Sequence, residues 1–347
     1  MHARSRLDNL PRRVVTLTLY GALFVAVVLS MPVLLIAALA IDLVRRRRLA
    51  TLRCVGLVTL YLACEVAGIV ASAALWVAAP ALGGLDSERS RQGHYALQRW
   101  WAGCLYRGAE RLYGLERRVD EGGSDPGRGP LVVFARHASL VDTIIPVVFL
   151  CGAHGLRLRY VLKRELLWDP CLDLVGNRIP NYFVRRGSSD TARETEGVAR
   201  LLEGLGPRDG VLIYPEGTRF TPAKRERALA RLATSAGEPL HSRARALERV
   251  LPPRPGGALA LLDGAPPADA LFCAHAGFDS AATFWQLWNG DLVGETIHVA
   301  FWRIPAERIP AGREARVAWL YDQWERMDAW VRAHAPPPAA ATRAVQR

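Results

Sequence analysis

Leu131-Val-Val-Phe-Ala-Arg-His-Ala-Ser-Leu-Val-Asp142 decides the reading of this chain. Five apolar, largely β-type residues read as a short strand buried on both faces, and they run into a polar turn carrying a histidine and an aspartate. The same grammar returns at Val211-Leu-Ile-Tyr-Pro-Glu-Gly-Thr-Arg219, where an apolar strand is again followed by a turn rich in charge. Short buried strands that end in polar turns are typical of parallel sheets, whose crossover helices cover both faces. In such open sheets ligands collect at the carboxyl ends of the strands.

Working outward, further strand-like runs occur at Tyr160–Leu162, Tyr182–Val184, Leu271–Ala274 and Thr296–Trp302. Helical stretches are expected between them near 140–151, 190–205, 222–235, 240–249 and 281–289, with a final amphipathic helix over Glu314–His334. This alternation predicts an α/β domain with a largely parallel central sheet. A helix over Gln92–Tyr113 carries the aromatic stripe Tyr95, Trp100, Trp101, Tyr106 and Tyr113, suited to a core or to a lipid interface. The organisation expected is an N-terminal membrane region over 1–85, an α/β domain over 86–335 and a disordered Pro/Ala tail over 336–347. No internal repeat is present.

The N-terminal region is apolar. Val14–Leu43 runs for 30 residues with no charge before Asp42, and Val55–Leu82 is interrupted only by Glu65. As a straight helix the first run would be about 45 Å long, against a hydrocarbon core of roughly 30 Å. Both runs read as membrane segments. Their flanks conflict with two simple spans: Arg4, Arg6, Arg12 and Arg13 precede the first, and Arg45–Arg48 and Arg53 follow it. The preference of arginine for the cytoplasmic side asks for both flanks on one side. Either the link is held on the far side at a cost, or one or both segments are re-entrant hairpins, the first bent at Pro32; the excess length favours the hairpin. Glu65 reads first as a packing residue with a partner.

Lys+Arg 45 against Asp+Glu 33 leaves a net charge of +12. That suits an anionic membrane surface. Only Lys163 and Lys224 are lysines, so the excess is arginine in an Ala-rich chain, and coding bias explains it as well as function does. No nucleic-acid motif accompanies the charge, so no nucleic-acid partner is expected. The cysteines at 54, 64, 104, 151, 171 and 273 lack metal-like or disulfide-like spacing and read as reduced, mostly buried thiols.

Two constellations carry chemistry. In the first, Asp142 can fold back onto His137, fix its tautomer and stabilise the charge it gains as a general base. With eight histidines in the chain, this spacing alone is close to chance. The second, Pro215–Arg219, is more specific: Gly217 permits close backbone approach, Arg219 can grip a phosphate with two N–H groups, and Glu216 can organise the turn. Between them, Tyr182-Phe-Val ends in Arg185 and Arg186, either of which could reach the same anion.

These stretches resemble the membrane glycerolipid acyltransferases typified by 1-acylglycerol-3-phosphate acyltransferase. The family's Asn-His-x-Ser-x-x-Asp block corresponds to Arg136-His137-Ala138-Ser139-Leu140-Val141-Asp142. Its Phe-Ile-Asp-Arg block corresponds to Phe183-Val184-Arg185-Arg186, and Pro-Glu-Gly-Thr-Arg is intact at 215–219. Lys163-Arg-Glu-Leu resembles the Lys-x-x-Leu segment. Val250-Leu-Pro-Pro-Arg254-Pro-Gly-Gly257 and Ile297–Pro305 resemble the lysocardiolipin acyltransferase-like branch, so the likeness runs over roughly 130–335. Arg136 replaces the usual Asn and adds a positive charge beside the base. The Pro-Val fourth block is not evident, which leaves the acyl-chain pocket unassigned.

The resemblance implies transfer of a fatty acyl group from a thioester of coenzyme A or acyl carrier protein to a lipid hydroxyl, with no further cofactor and no metal. The implied roles are His137 as base, Asp142 as its orienting partner, and Arg186, Glu216, Gly217, Thr218 and Arg219 around the acceptor phosphate. Arg136, Ser139, Lys163, Arg185 and Arg254 are secondary candidates, with Ser139 read as a helix cap rather than a nucleophile. The implied setting is the inner (cytoplasmic) membrane with the catalytic domain facing the cytosol. The alternatives are another lipid acceptor such as glycerol 3-phosphate, or a non-catalytic lipid-binding protein of the same fold.

Overall fold

The computed structural model describes residues 9–122, 126–139, 141–184, 196–235, 237–264 and 267–335. Among these, seven strands form one sheet: β1 Glu116–Asp120, β2 Leu131–Ala135, β3 Arg157–Lys163, β4 Tyr182–Val184, β5 Asp209–Ile213, β6 Asp269–Ala276 and β7 Thr296–Ile304. Their order is β1-β7-β6-β2-β5-β3-β4. From β6 to β4 every neighbouring pair is parallel. β7 runs antiparallel to β6, and β1 pairs parallel with β7. The largely parallel α/β domain is therefore present, and β2 lies at its centre with every residue buried.

Alternate residues of these strands feed two cores. Leu131, Val133 and Ala135 of β2 pack with Leu212, Leu271 and Cys273 beneath Ala102, Tyr106 and Tyr113. Val132 and Phe134 face the other way, with Phe272 and Trp302, toward Leu320, Trp324 and Met327. On that second side Phe272 stacks on Phe134 at 5.1 Å and on Trp302 at 5.4 Å between ring centroids. β1 escaped the apolar-run criterion because Glu-Arg-Arg-Val-Asp is exposed throughout. A charged edge of this kind deters pairing with another chain.

The N-terminal third forms four helices: α1 Leu10–Leu29, α2 Met31–Arg45, α3 Ala50–Ala78 and α4 Glu88–Tyr113. The first apolar run breaks between α1 and α2 because Pro32 has no N–H to give the preceding turn. A bend is also demanded by the contacts. The Tyr20 hydroxyl meets that of Tyr61 at 3.2 Å, and Asp42 accepts from the Thr51 and Leu52 N–H groups at 2.9 Å each. Tyr20 and Asp42 are separated by about 33 Å of straight helix, whereas Tyr61 and Thr51 are separated by about 15 Å. The α1–α2 segment therefore bows outward, and its apex exposes Leu29 (78%), Val33 (68%) and Ile36 (72%).

Both ends of this bowed segment are fastened to the α/β domain. Arg12 and Arg13 pair with the buried Asp173 at 3.0 and 2.8 Å. At the other end Arg45 donates to the Asn289 side chain at 2.5 Å. α3 lies against α4 over much of its length: Gly56 faces Leu112, Gly108 faces Leu60 and Gly93 faces Leu75. Since α4 carries Arg89, Arg91, Arg99, Arg107 and Arg111, a crossing by α3 would draw these charges toward hydrocarbon, at roughly 2.5–3.5 kcal/mol for each one at its centre. By length and composition both Leu10–Leu29 and Ala50–Ala78 could cross a membrane, and only 6% and 28% of their most apolar stretches are buried against the rest of the protein.

Glu65 is fully buried and partnered as expected: it accepts from Trp101 Nε1 at 2.8 Å and from the Cys171 N–H at 3.1 Å. In the aromatic stripe, Tyr95, Tyr106 and Tyr113 enter the core, whereas Trp100 stays 42% exposed. Among the described residues the cysteines are unpaired, and all but Cys104 are buried. The 336–347 tail lies outside the described residues.

Candidate active site

Three adjacent parallel strands, β6, β2 and β5, deliver their C-terminal turns to one place. His137 follows β2, Pro215–Arg219 follows β5, and His275 through Asp279 closes β6 and the turn after it. The His137 Nδ1 and the Asp142 Oδ2 are 3.0 Å apart. The carboxylate also accepts from the N–H groups of Ala138 and Ser139, the latter at 2.7 Å, and from the Ser139 hydroxyl. With a carboxylate beside it, Nδ1 carries the proton and Nε2 is left as the base.

Asp142 does not sit inside a helix, since the helix that follows (α5, Ile144–Pro146) begins two residues later. Ser139 is accordingly not a helix cap. Its oxygen donates to Asp142 and accepts from the Val141 N–H at 3.2 Å, which locks the turn and buries the hydroxyl. The Tyr214 ring lies 4.8 Å from the His137 ring, and its hydroxyl donates to the Asp142 main-chain carbonyl at 3.3 Å.

Burial alone would raise the Asp142 carboxyl, but the neighbouring His275 and the bonds from His137 and Ser139 outweigh it and hold it at about 2. The sign follows. A carboxyl depressed from an ordinary 3.8 stabilises the fold above that value, and the contribution disappears as pH falls through about 2. The difference is worth roughly 2 kcal/mol. Urea unfolding from pH 5 to pH 2 should show wild type losing more stability than Asp142→Asn across this window. Equal slopes would contradict the assignment.

Glu216 does not face an anion. It is buried, and its two oxygens accept from the His137 N–H at 2.8 Å and the Leu251 N–H at 3.0 Å. Burial pushes this carboxyl up to about 8, against the pull of those two donors and of Arg136. Two backbone bonds reinforce the link: Phe220 N–H to the His137 carbonyl at 2.8 Å and Arg254 N–H to the Pro215 carbonyl at 2.9 Å. Gly217 adopts φ +66°, and a Cβ there would stand 3.3 Å from Arg254 Nη1. Thr218 and Arg219 are partly exposed in the same turn, and Arg219 donates to the Ala282 carbonyl at 3.0 Å.

Arg136 behaves differently from expectation. Its guanidinium is fully buried and bonded to both Asp279 oxygens, one at 3.2 Å, and to the carbonyls of His275 at 2.7 Å and Arg249 at 3.2 Å. Its charge is matched by Asp279 rather than offered to the base. His275 and Asp279 were not read from the sequence. His275 Nε2 stands 3.1 Å from the Arg136 carbonyl and 3.5 Å from Asp142 Oδ1. Two acceptors flank that nitrogen, so it carries the proton. The only sequence signal was a histidine at the end of a strand, and the pairing of β6 with β2 is what gives it meaning.

Lys163 ends β3 beside Val184 of β4. Arg185 and Arg186 lie outside the described residues. The strand they follow is two strand spacings from β5, about 10 Å. An apolar cavity begins at Thr143 and Ile144, immediately after Asp142, and continues between Leu97, Trp101, Leu162 and Val175. Among the described residues no group of three or more His, Cys, Asp or Glu side chains could hold a metal.

Residues 110–258 match the family model described as Acyltransferase. The matched stretch is 149 of the 347 residues. It contains His137, Asp142, the Pro215–Arg219 turn and Arg254, whereas His275 and Asp279 fall beyond the matched residues. The mouse protein 1-acyl-sn-glycerol-3-phosphate acyltransferase epsilon is 24% identical over 224 residues, covering 57% of this chain and 56% of that protein. The chain thus spans about half the length of this curated relative. Among solved structures, this chain is similar to the 1-acyl-sn-glycerophosphate (LPA) acyltransferase PlsC of Thermotoga maritima. That likeness has 12% identity and a TM-score of 0.46, and covers 71% of this chain and 83% of that one.

Proposed function

We propose that this acyltransferase moves a fatty acyl group from an acyl thioester to the free hydroxyl of a lysophosphatidate or related lysophospholipid. The observation that carries this reading is the His137–Asp142 pair stitched through Glu216 to the Pro215–Arg219 turn. A base that removes a hydroxyl proton thereby stands beside a turn suited to a phosphate. His137 Nε2 takes the acceptor hydroxyl proton while that oxygen attacks the thioester carbonyl. The carbon–sulfur bond then breaks, and the imidazolium returns the proton to the departing thiolate. Ser139 takes no acyl group, because its hydroxyl is buried against Asp142.

Arg219 and Arg254 flank the Gly217 turn and supply its positive charge. The apolar cavity beyond Asp142 suits an acyl chain. The bowed α1–α2 segment fits insertion into one leaflet from the side on which the α/β domain lies, and resolves the conflict between its two arginine flanks. With acyl thioesters made in the cytosol, that side is the cytosolic face of the inner membrane. The test offers the purified full chain a panel of lysolipids and glycerol 3-phosphate, with acyl-CoA and then with acyl carrier protein thioester. Transfer to phosphate-bearing lysolipids is expected. Absence of transfer with every pair would defeat the enzymatic reading in favour of a lipid-binding protein.

A further inference from the structure

The short helix Phe284–Asn289 presents Phe284 and Trp285 to solvent, 55% and 65% exposed. Aromatic side chains of this size each offer 150–250 Å² of surface to burial, yet these two turn away from the core. Their position is fixed. Thr283 and Gln286 form a reciprocal capping box at the helix start. The preceding residue, Ala282, takes the hydrogen bond from Arg219 of the phosphate turn. At the far end, Asn289 takes Arg45 on its side chain and Arg47 on its carbonyl, at 2.5 and 3.0 Å.

The helix is therefore joined to the arginine turn between α2 and α3. In that turn Arg46, Arg47 and Arg48 are exposed, beside Leu43 (68%), Val44 (85%) and Leu49 (42%). The acidic group facing these cations from the helix side is Asp291, near Arg47. Clustered arginines among exposed aromatic and aliphatic side chains are the composition that favours the headgroup region of an anionic bilayer.

We propose that Phe284, Trp285 and the Arg46–Arg48 turn form one contact surface for an anionic lipid bilayer, set beside the phosphate turn of the active site. This rests on the membrane-bound reading above and adds to it a second contact, separate from the α1–α2 apex. The aromatic rings enter the headgroup boundary, and the arginines neutralise anionic headgroups around them. Because Ala282 is bonded to Arg219, the same contact holds the acceptor site at the level where a one-tailed lipid already lies.

The test uses the full chain carrying Cys104→Ser and either Trp285→Cys or, as a reference at the apex, Leu29→Cys. Each is labelled with an environment-sensitive fluorophore. The protein is added to vesicles of phosphatidylcholine alone, or of phosphatidylcholine and phosphatidylglycerol in equal parts, with and without a spin-labelled lipid. The label at 285 should shift to the blue and be quenched in the anionic vesicles. Arg46→Glu with Arg48→Glu should weaken that response several-fold. Quenching at position 29 without any at 285 would overturn the second contact while leaving the membrane-bound reading intact. No quenching at either position, with protein that fails to float with vesicles, would overturn both. A blue shift at 285 without quenching would mean that the face packs against a second copy of the chain, and would also overturn the proposal.

Discussion

Replacing His137 by alanine should lower acyl transfer by ~10²–10⁴-fold, the range contributed by a positioned general base. The imidazole is the group whose Nε2 is left free by the Asp142 contact, and among the described residues no neighbour is arranged to substitute for it. Ser139 donates to Asp142, and His275 is sealed behind the carboxylate with only 1% of its surface exposed. The loss should fall on turnover rather than on acceptor affinity, because the Pro215–Arg219 turn reaches His137 through backbone groups. The His137 N–H to Glu216 bond and the His137 carbonyl to Phe220 bond both survive in alanine. Some stability should be lost as well, because the ring is only 19% exposed and bonds the buried Asp142, so transfer is compared at a temperature where both proteins are folded. Single-turnover acylation together with a lysolipid-binding measurement checks this. Unchanged transfer would remove His137 from the chemistry.

The largest effect on stability is expected at Asp279, far in sequence from any recognised motif. Asp279→Ala would leave the Arg136 guanidinium in the interior with its charge unmatched. Breaking one side of a buried pair costs about 3–5 kcal/mol. The Asp279 side chain retains 26% exposure, so the lower end, about 3 kcal/mol, applies. For a chain of this size that corresponds to a fall in Tm of about 4 °C. The double change Arg136→Met with Asp279→Ala removes both charges and keeps a long apolar stem in the space. It should recover most of the loss, because a buried pair replaced as a unit by apolar residues is often near neutral. If the double variant were as unstable as the single one, Arg136 would owe its place to its carbonyl contacts instead.

Much of this site was readable because its parts are local in the chain. Leu131–Ala135 leads directly into His137, and Val211–Ile213 into Pro215–Arg219, so strand, turn and chemistry lie within a dozen residues. The alternation of such units also predicted the largely parallel sheet, while the excess length of the first apolar run left a span and a hairpin both open. What escaped was whatever depends on which strand lies beside which. His275 and Asp279 acquire roles only because β6 pairs with β2. The partner of Arg136 could not be anticipated, so its charge was expected at the base. The β1 strand was hidden by its charged composition. The helix Pro170–Gly176 was also not foreseen, although Asp169 caps it by accepting from the Leu172 N–H at 2.8 Å.

The carboxyl group of Glu216 joins the backbone that carries the base to the turn beside Gly217. The two halves of the site therefore cannot slide past one another without breaking a buried bond. Such a clamp acts as a gauge. In the proposed reaction it sets one separation between the turn that would receive an acceptor's phosphate and the nitrogen that would take its hydroxyl proton. A lysolipid whose free hydroxyl lies one carbon farther from its phosphate would present the wrong atom to Nε2, even if it bound as tightly. Positional selectivity in this enzyme would then be a matter of rigid spacing rather than of affinity.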